Sequence, residues 1–481
     1  MLRVRDIENS MYYRIKDNIA LRSWKLVPFA YYRKGYGYAE KLTSEEFFAA
    51  MLCDGERDFA RSGLIDVLLK KGVIEPCEKG NAPSEWSRPR DCPCRYMPAA
   101  LVSITGRCNM NCRHCFMAAD ASPTFDEWKY GDLLDLLDQF VECGVQSVGF
   151  TGGEPMLHPR FADILRETAK RDLTLSEICT NASLVTDEIC DEIKSLGFSP
   201  MFRVSFDGVG VHDWMRRVPG AEEQALGKLS MLKKHGFRVK AQYNVNRHTA
   251  SALNKTARLL DEMRIDSVRI IQTGSSPRWA ALGGGENYTY EEYYDLIFDF
   301  LRDYLSGPRN MSVTVWQTIE VFPDRHCYTL VPGDDYREQK YNDKAPVCRS
   351  ARGQMHITAS GDVAPCSPMA GFFRAHGKAL ENVHNTPLKS ILSKSCFLDT
   401  VCAPASKISG TDADCAACPF WKRCQGGCRA LAMAQTGELT YYGRDASKCA
   451  WFKGDYEQKA LSLMAEISAK TGVEWKQTQR D

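Results

Sequence analysis

Nowhere in the 481 residues do about 18 apolar residues run together, the length that a membrane-spanning helix needs. The first residues, MLRVRDIENSMYYRIKD, alternate charged and apolar side chains and contain no apolar core of the kind a secretion signal carries. The expectation is a cytoplasmic chain that neither spans nor binds a membrane. Net charge is nearly absent as well, with 62 Lys plus Arg against 61 Asp plus Glu. Without a field of one sign, the chain offers no bulk attraction to nucleic acid or to anionic lipid. Low-complexity tracts and short internal repeats are also missing. What is abundant is cysteine, with 20 residues. In a reducing compartment, grouped thiols serve metal binding or redox work rather than a disulfide framework.

At roughly 150 residues per domain, the length accommodates about three domains, and composition divides the chain into five stretches. Residues 1–77 mix aromatic strand-like runs with two helical patterns, SEEFFAAMLCDG and ARSGLIDVLLKKG, and then the strand-like VIEPC, as in a small winged-helix unit. Residues 78–98 hold Pro83, Pro89, Pro93 and Pro98 among polar residues and read as a linker or bridging loop. Residues 99–312 alternate strands with helical stretches. The strands are ALVSIT, SVGFTGG, LSEICTNA, FRVSFDG, RVKAQYNV and SVRIIQTG. Such alternation predicts parallel strands with helical crossovers, and six units predict an incomplete α/β barrel. Residues 313–454 are cysteine-rich, and residues 455–481 carry a final helix, YEQKALSLMAEISAKTG.

Immediately after the first barrel strand comes CNMNCRHC, which places Cys108, Cys112 and Cys115 on one short loop. Three thiolates hold three irons of a cubane and leave the fourth open. A closed zinc site would need a fourth protein ligand, and His114 sits too tightly within the same loop to serve. The triple resembles the signature of the radical S-adenosylmethionine superfamily, although the residue before the last cysteine, usually aromatic there, is His114. The resemblance implies a 4Fe-4S cluster whose open iron binds S-adenosylmethionine, with reductive cleavage to a 5′-deoxyadenosyl radical. The second strand ends in Gly152, Gly153, Glu154 and Pro155, similar to the family's GGEP motif, whose backbone meets the cofactor's amino group. Both motifs fall at strand C-termini, where barrel enzymes place their chemistry. By the same resemblance, Asn181 and Ser205 at later strand ends contact ribose or methionine, and Arg216 pairs with the cofactor carboxylate. The surrounding TNA departs from the family's more usual TNG at Ala182. A surface salt bridge is the alternative reading of Arg216.

The C-terminal cysteines form a second ordered set. Twelve residues separate Cys348 from Gly361, and four more precede Cys366; Cys415, Cys418, Cys424 and Cys428 are spaced by two, five and three, and Cys449 follows after twenty. This resembles the SPASM extension of radical enzymes that modify peptides and proteins; a zinc ribbon on the CAAC pair would need a second, simply spaced pair. The resemblance implies three 4Fe-4S clusters in all. Cys415, Cys418, Cys424 and Cys449 would hold one auxiliary cluster. Cys348, Cys366 and Cys428 would hold another, one ligand short, either with an open iron or completed by a distant thiol such as Cys327, Cys92 or Cys94. Cys143, Cys179 and Cys190 lie in apolar barrel segments and read as inert buried thiols. The Cys92-Pro93-Cys94 pair lies in a loop that a function could use.

Residues 1–77 resemble the peptide-recognition element fused to enzymes that mature ribosomally made peptides, most closely in EEFFAAMLCDGERD and LIDVLLKKGVIEP. There a leader peptide adds as a strand. A DNA-reading winged helix would carry a basic recognition helix, whereas DVLLKKG offers only Lys70 and Lys71. A structural cap is the plain alternative. The implied function is a peptide maturase forming thioether or carbon–carbon cross-links. Its partners would be a precursor peptide with a leader segment and a reductase such as flavodoxin or ferredoxin. The alternative enzyme is a formylglycine-generating sulfatase maturase, which usually places an Asp base after the cysteine matching Cys366; here that residue is Ser367. A non-enzymatic alternative is an iron-sulfur sensor or electron carrier.

Overall fold

A computed structural model describes residues 11–115, 126–274, 277–282, 287–331, 341–351, 353–375, 379–436 and 441–478. The N-terminal strands are β1 (Met11–Ile15), β2 (Ile19–Trp24), β3 (Val27–Arg33), β4 (Glu40–Lys41), β5 (Asp54–Phe59), β6 (Ile74–Cys77) and β7 (Arg90–Cys92). They form two sheets, ordered β5-β1-β6 and β4-β3-β2-β7. Helix α1 (Ser44–Leu52) starts at a reciprocal cap between Thr43 and Glu46, and helix α2 (Gly63–Lys70) starts at Ser62, whose hydroxyl accepts from the Ile65 amide. Tyr13, Ile15, Leu21, Phe47, Leu68 and Ile74 close over a small core of their own.

The other face of this unit is not free. Trp24, Ala30 and Tyr32, together with Cys92, Cys94 and Met97, belong to the core of the barrel. Trp24 Nε1 donates to the Cys143 carbonyl (2.9 Å), and the Tyr32 hydroxyl donates to that of Gly144 (3.1 Å). Gly144 ends the helix Tyr130–Cys143 at φ 70°. A Cβ there would stand 2.7 Å from both the Cys92 sulfur and the Trp24 ring, so the junction requires glycine. The stretch expected to be a linker or bridging loop thus carries β7, which pairs in parallel with β2. Cys92 and Cys94 are buried packing groups beside Cys143.

The barrel strands fall where the alternation predicts: β8 (Ala99–Thr105), β9 (Ser147–Gly152), β10 (Thr174–Thr180), β11 (Met201–Ser205), β12 (Arg238–Val245) and β13 (Ser267–Gln272). These six parallel strands are extended by β14 (Ser312–Val315), β15 (Ile319–Phe322), β16 (Cys327–Leu330), β17 (Gln354–Ile357), β18 (Val363–Ala364) and β19 (Lys476–Gln477). The order is β18-β17-β8-β9-β10-β11-β12-β13-β14-β15-β16-β19, open at both ends. Strand β14 continues the parallel run beside β13, and β17 joins it beside β8. Chain from residue 312 onward therefore supplies both flanks of the sheet.

One face of the sheet packs on the helices through Val148, Phe150, Ile178, Phe202, Val204, Val239, Ala241, Val268 and Ile270. Side chains alternate along a strand, and the register aligns Cys179 with Arg203, Arg203 with Lys240, and Gln242 with Arg269 on the opposite face. A parallel sheet buried on both faces would be apolar throughout. This inner face is polar instead, its charged groups pairing with one another across the strands. At the C-terminus, the helix Tyr456–Thr471 lies against the helix Tyr290–Tyr304, with the Tyr456 hydroxyl on the Glu291 carbonyl (3.1 Å). Among the described residues no helix is long and apolar enough to cross a membrane.

Candidate active site

The loop after β8 and the turn after β9 are laced together. Gly153 N donates to the Thr105 carbonyl (2.9 Å) and Glu154 N to that of Arg107 (2.8 Å). A Cβ at Gly152 or Gly153 would stand 2.2 or 2.1 Å from those same carbonyl oxygens, so this backbone approach admits only glycine. Arg107 adds an ion pair with Glu127 (3.0 Å) and a bond to the Leu157 carbonyl (2.7 Å). Held in this way, Cys108 is buried, and it packs with Cys112, Cys115, Met110, Val218 and Ala221. From the far side, Arg113 donates to the Trp214 and Leu282 carbonyls and lies over the Trp214 ring at 4.6 Å.

Glu154 and Pro155 are buried, and the Glu154 carboxylate accepts from the Thr180 hydroxyl (2.8 Å) and the Asn181 amide (2.8 Å). Burial pushes this carboxyl up to about 7 against those donors. Glu154 thus ties the ends of β9 and β10 together. Asn181 Nδ2 donates to Asn109 (2.9 Å), in the cysteine loop, while its oxygen accepts from Ser183. Ala182 adopts φ 66°, the left-handed conformation in which glycine is usual. The TNA sequence therefore keeps the TNG backbone at some cost in strain. Ser205 is half-buried at the end of β11 and lies on the polar face.

Arg216 is not a surface group. Its guanidinium is buried, pairs with the Asp207 carboxylate at 2.6 Å and donates to the Cys112 sulfur at 3.5 Å. Burial opposes both charges, yet the pairing holds Asp207 below and Arg216 above their ordinary values. Asn244 Nδ2 contacts both Asp207 (3.1 Å) and His114 Nε2 (3.1 Å), and burial lowers His114 to about 4, so that imidazole is neutral. Asp207 and Asn244 were not recognised from the sequence; the aspartate lies inside the SFDG motif, but its partner is remote in the chain. The same applies to Glu177, Arg203 and Arg269 on the inner face. Glu177 pairs with Arg203, and burial with the adjacent Arg203 cation lowers Arg269 to about 10. Cys179, expected in an apolar segment, sits among these charges.

The C-terminal thiols form two sets. Cys415, Cys418, Cys424 and Cys449 line one cavity with Phe420, Trp421 and Phe452. Cys348, Cys366 and Cys428 pack around Met369, Phe373, Ala430, Met433 and Tyr441. Cys327, offered as a distant ligand, lies in β16 opposite Phe322. Ser367, after Cys366, meets His356 Nδ1 at 3.1 Å.

These residues suit the groups that the sequence implies. Among the described residues no three Cys, His, Asp or Glu groups gather as a single ion's ligands do. Ligands of a polynuclear centre stand farther apart because each binds a different iron. Burial pushes Cys108 and Cys424 up to about 12 and Cys428 to about 11, and an iron bound there would favour their thiolates. Beside the loop, Arg216 Nε and His114 Nδ1 are buried without a hydrogen-bond partner, the condition expected of groups that meet a bound cofactor.

Comparison with known proteins agrees. Residues 102–260 match the Radical SAM superfamily, and residues 348–419 match SPASM, an iron-sulfur cluster-binding domain. An AdoMet-dependent heme synthase of Oleidesulfovibrio alaskensis is 25% identical over 352 residues, covering 69% of this chain and 83% of the synthase. A PqqA peptide cyclase of Granulibacter bethesdensis is 24% identical over 351 residues, covering 70% and 84%. Among solved structures, Streptococcus suis SuiB bound to its precursor peptide SuiA superposes with a TM-score of 0.64 at 14% identity, covering 90% of this chain and 98% of SuiB. Native anSMEcpe with bound AdoMet gives 0.55 at 18%, covering 78% and 100%. The chain is a radical S-adenosylmethionine enzyme with a SPASM domain, and its cofactors are S-adenosylmethionine and 4Fe-4S clusters.

Proposed function

We propose that this enzyme matures a ribosomally synthesised precursor peptide by thioether or carbon–carbon cross-linking in the cytoplasm. One observation carries the reading: the N-terminal unit, residues 1–77, turns an apolar stripe outward while its other face is fixed to the barrel. Phe48, Met51 and Leu52 share one face of α1 and are 54%, 39% and 41% exposed. The adjoining sheet ends in β5 and β6, edges to which an extended leader adds as a strand. SuiB, whose fold this chain shares over 90% of its length, binds a precursor peptide.

In this reading Cys108, Cys112 and Cys115 hold the cluster to which S-adenosylmethionine binds. When bound, the cofactor supplies a 5′-deoxyadenosyl radical that takes a hydrogen atom from the peptide. The chain's own residues position it. The Gly152–Pro155 backbone would hold the amino group, Asn181 and Ser205 the ribose and methionine, and Arg216, its guanidinium fixed by Asp207, would pair with the carboxylate. Arg203, Glu177 and Arg269 give the inner face of the sheet its charge. A flavodoxin or ferredoxin provides the electron.

Coexpression with short peptides encoded nearby tests the reading. The expected result is a precursor lighter by two hydrogens per cross-link, measured by mass spectrometry. An unmodified precursor, with cofactor cleavage stimulated instead by an iron porphyrin, overturns it.

A further inference from the structure

The set formed by Cys348, Cys366 and Cys428 lacks a fourth ligand within its motif, and the fold brings another thiol beside it. Pro346 and Pro404 form an antiparallel bridge, and the Ala405 amide donates to the Ala345 carbonyl at 3.2 Å. Each segment runs two residues beyond the bridge, to Cys348 just before the turn Arg349–Ala351 and to Cys402 at the end of the helix Cys396–Val401. Cys402 closes the helix Cys396–Val401, with its amide on the Leu398 carbonyl (2.8 Å). The next residue, Ala403, is buried in the apolar cluster against which the three cysteines pack.

We infer that Cys402 is the fourth protein ligand of the auxiliary cluster on Cys348, Cys366 and Cys428, closing it to exogenous ligands. The inference rests on the reading that those three cysteines hold a cluster. Electrostatics support the placement. Burial raises the half-buried Cys402 thiol, nearby Arg95 works against that rise, and Cys348 adds to it, so the two sulfurs sense one another. Binding releases the thiol proton to solvent as the iron–sulfur bond forms. Of the other proposed donors, Cys92 and Cys94 are fully buried beside Cys143 and Cys327 lies in β16, whereas Cys402 packs only partly against the barrel core. Cys396, at the opposite end of the same helix, is exposed and serves as the control.

The test uses the full chain with Cys108, Cys112 and Cys115 changed to Ala, reconstituted with iron and sulfide so that only auxiliary clusters remain. Iron is counted, and the reduced protein is examined by electron paramagnetic resonance and by electron-nuclear double resonance with 13C-cyanide as the probe of an open iron. With Cys402 present, about eight irons and no 13C coupling are expected. Cys402→Ala should create a cyanide-binding iron. Cys402→Ser should keep the iron count and shift the g-values, which separates ligation from misfolding. Cys396→Ala should match its parent. Cyanide coupling while Cys402 is intact, or a Cys402→Ala spectrum identical to the parent's, overturns the assignment. About four irons in the parent would instead remove the cluster reading itself.

Discussion

Arg216 and Asp207 form a buried ion pair of 2.6 Å at the edge of the cysteine loop, with Arg216 also touching the Cys112 sulfur. Breaking one side of such a pair leaves an uncompensated buried charge. Asp207→Ala should therefore cost about 3–5 kcal/mol in stability. Thermal unfolding of the cluster-free protein measures the loss, and Asp207→Asn, which keeps the contacts to Asn244, should lose less.

Gly153→Ala tests the lacing of the GGEP turn to the cysteine loop. The new methyl would meet the Arg107 carbonyl oxygen at 2.1 Å, and neither backbone yields without moving the segment that carries Cys108. Reconstituted protein should lose about four irons and form no 5′-deoxyadenosine, while the C-terminal clusters persist. Full iron content with normal cofactor cleavage would show that the loop tolerates displacement.

Truncating residues 1–77 would strip Trp24 and Tyr32 from the barrel core and confuse recognition with folding. Substitutions on the exposed face avoid this. Phe48→Asp combined with Met51→Asp should weaken leader binding at least tenfold, or about 1.4 kcal/mol, measured by fluorescence anisotropy of a labelled leader. Peptide-independent cofactor cleavage should stay unchanged. Unaltered leader affinity would assign the stripe another purpose.

Lys71 and Glu46 tie α2 to the cap of α1 at 2.6 Å. Burial opposes the Glu46 charge, but the Lys71 ammonium and the Thr43 amide outweigh it and hold the carboxyl below its ordinary value. A depressed carboxyl contributes stability above its unfolded value, about 4.3, and that contribution is lost as pH falls through the folded value. Lys71→Met should accordingly loosen residues 44–71 at neutral pH, and the difference from the parent chain should fade in acid. Hydrogen exchange on peptides from this segment, corrected for intrinsic rates, reads both effects.

The parallel strands were legible because their outer faces carry Val, Ile and Phe in alternation, and β12 falls on the residues its pattern indicates. The cysteine loop and GGEP turn were legible as local motifs. Strand β5 was not: its DGERDF is polar, has no alternating apolar face, and is held by main-chain pairing with β1. The strands flanking the barrel come from residue 312 onward, and such long-range pairing leaves no local signature. The same limit hid Asp207 and Asn244 as partners of Arg216 and His114. Each depends on where distant segments meet, whereas a motif encodes only its own loop.

The seat of Trp24 and Tyr32 on the end of the helix Tyr130–Cys143 makes the N-terminal unit a fixed arm of the barrel. For a peptide held there, the distance to the cysteine loop becomes a constant of the enzyme. On the proposed reading the arm would be a ruler: the modified residue would be selected by its count from the leader, and lengthening the precursor by one residue should move the mark by one residue.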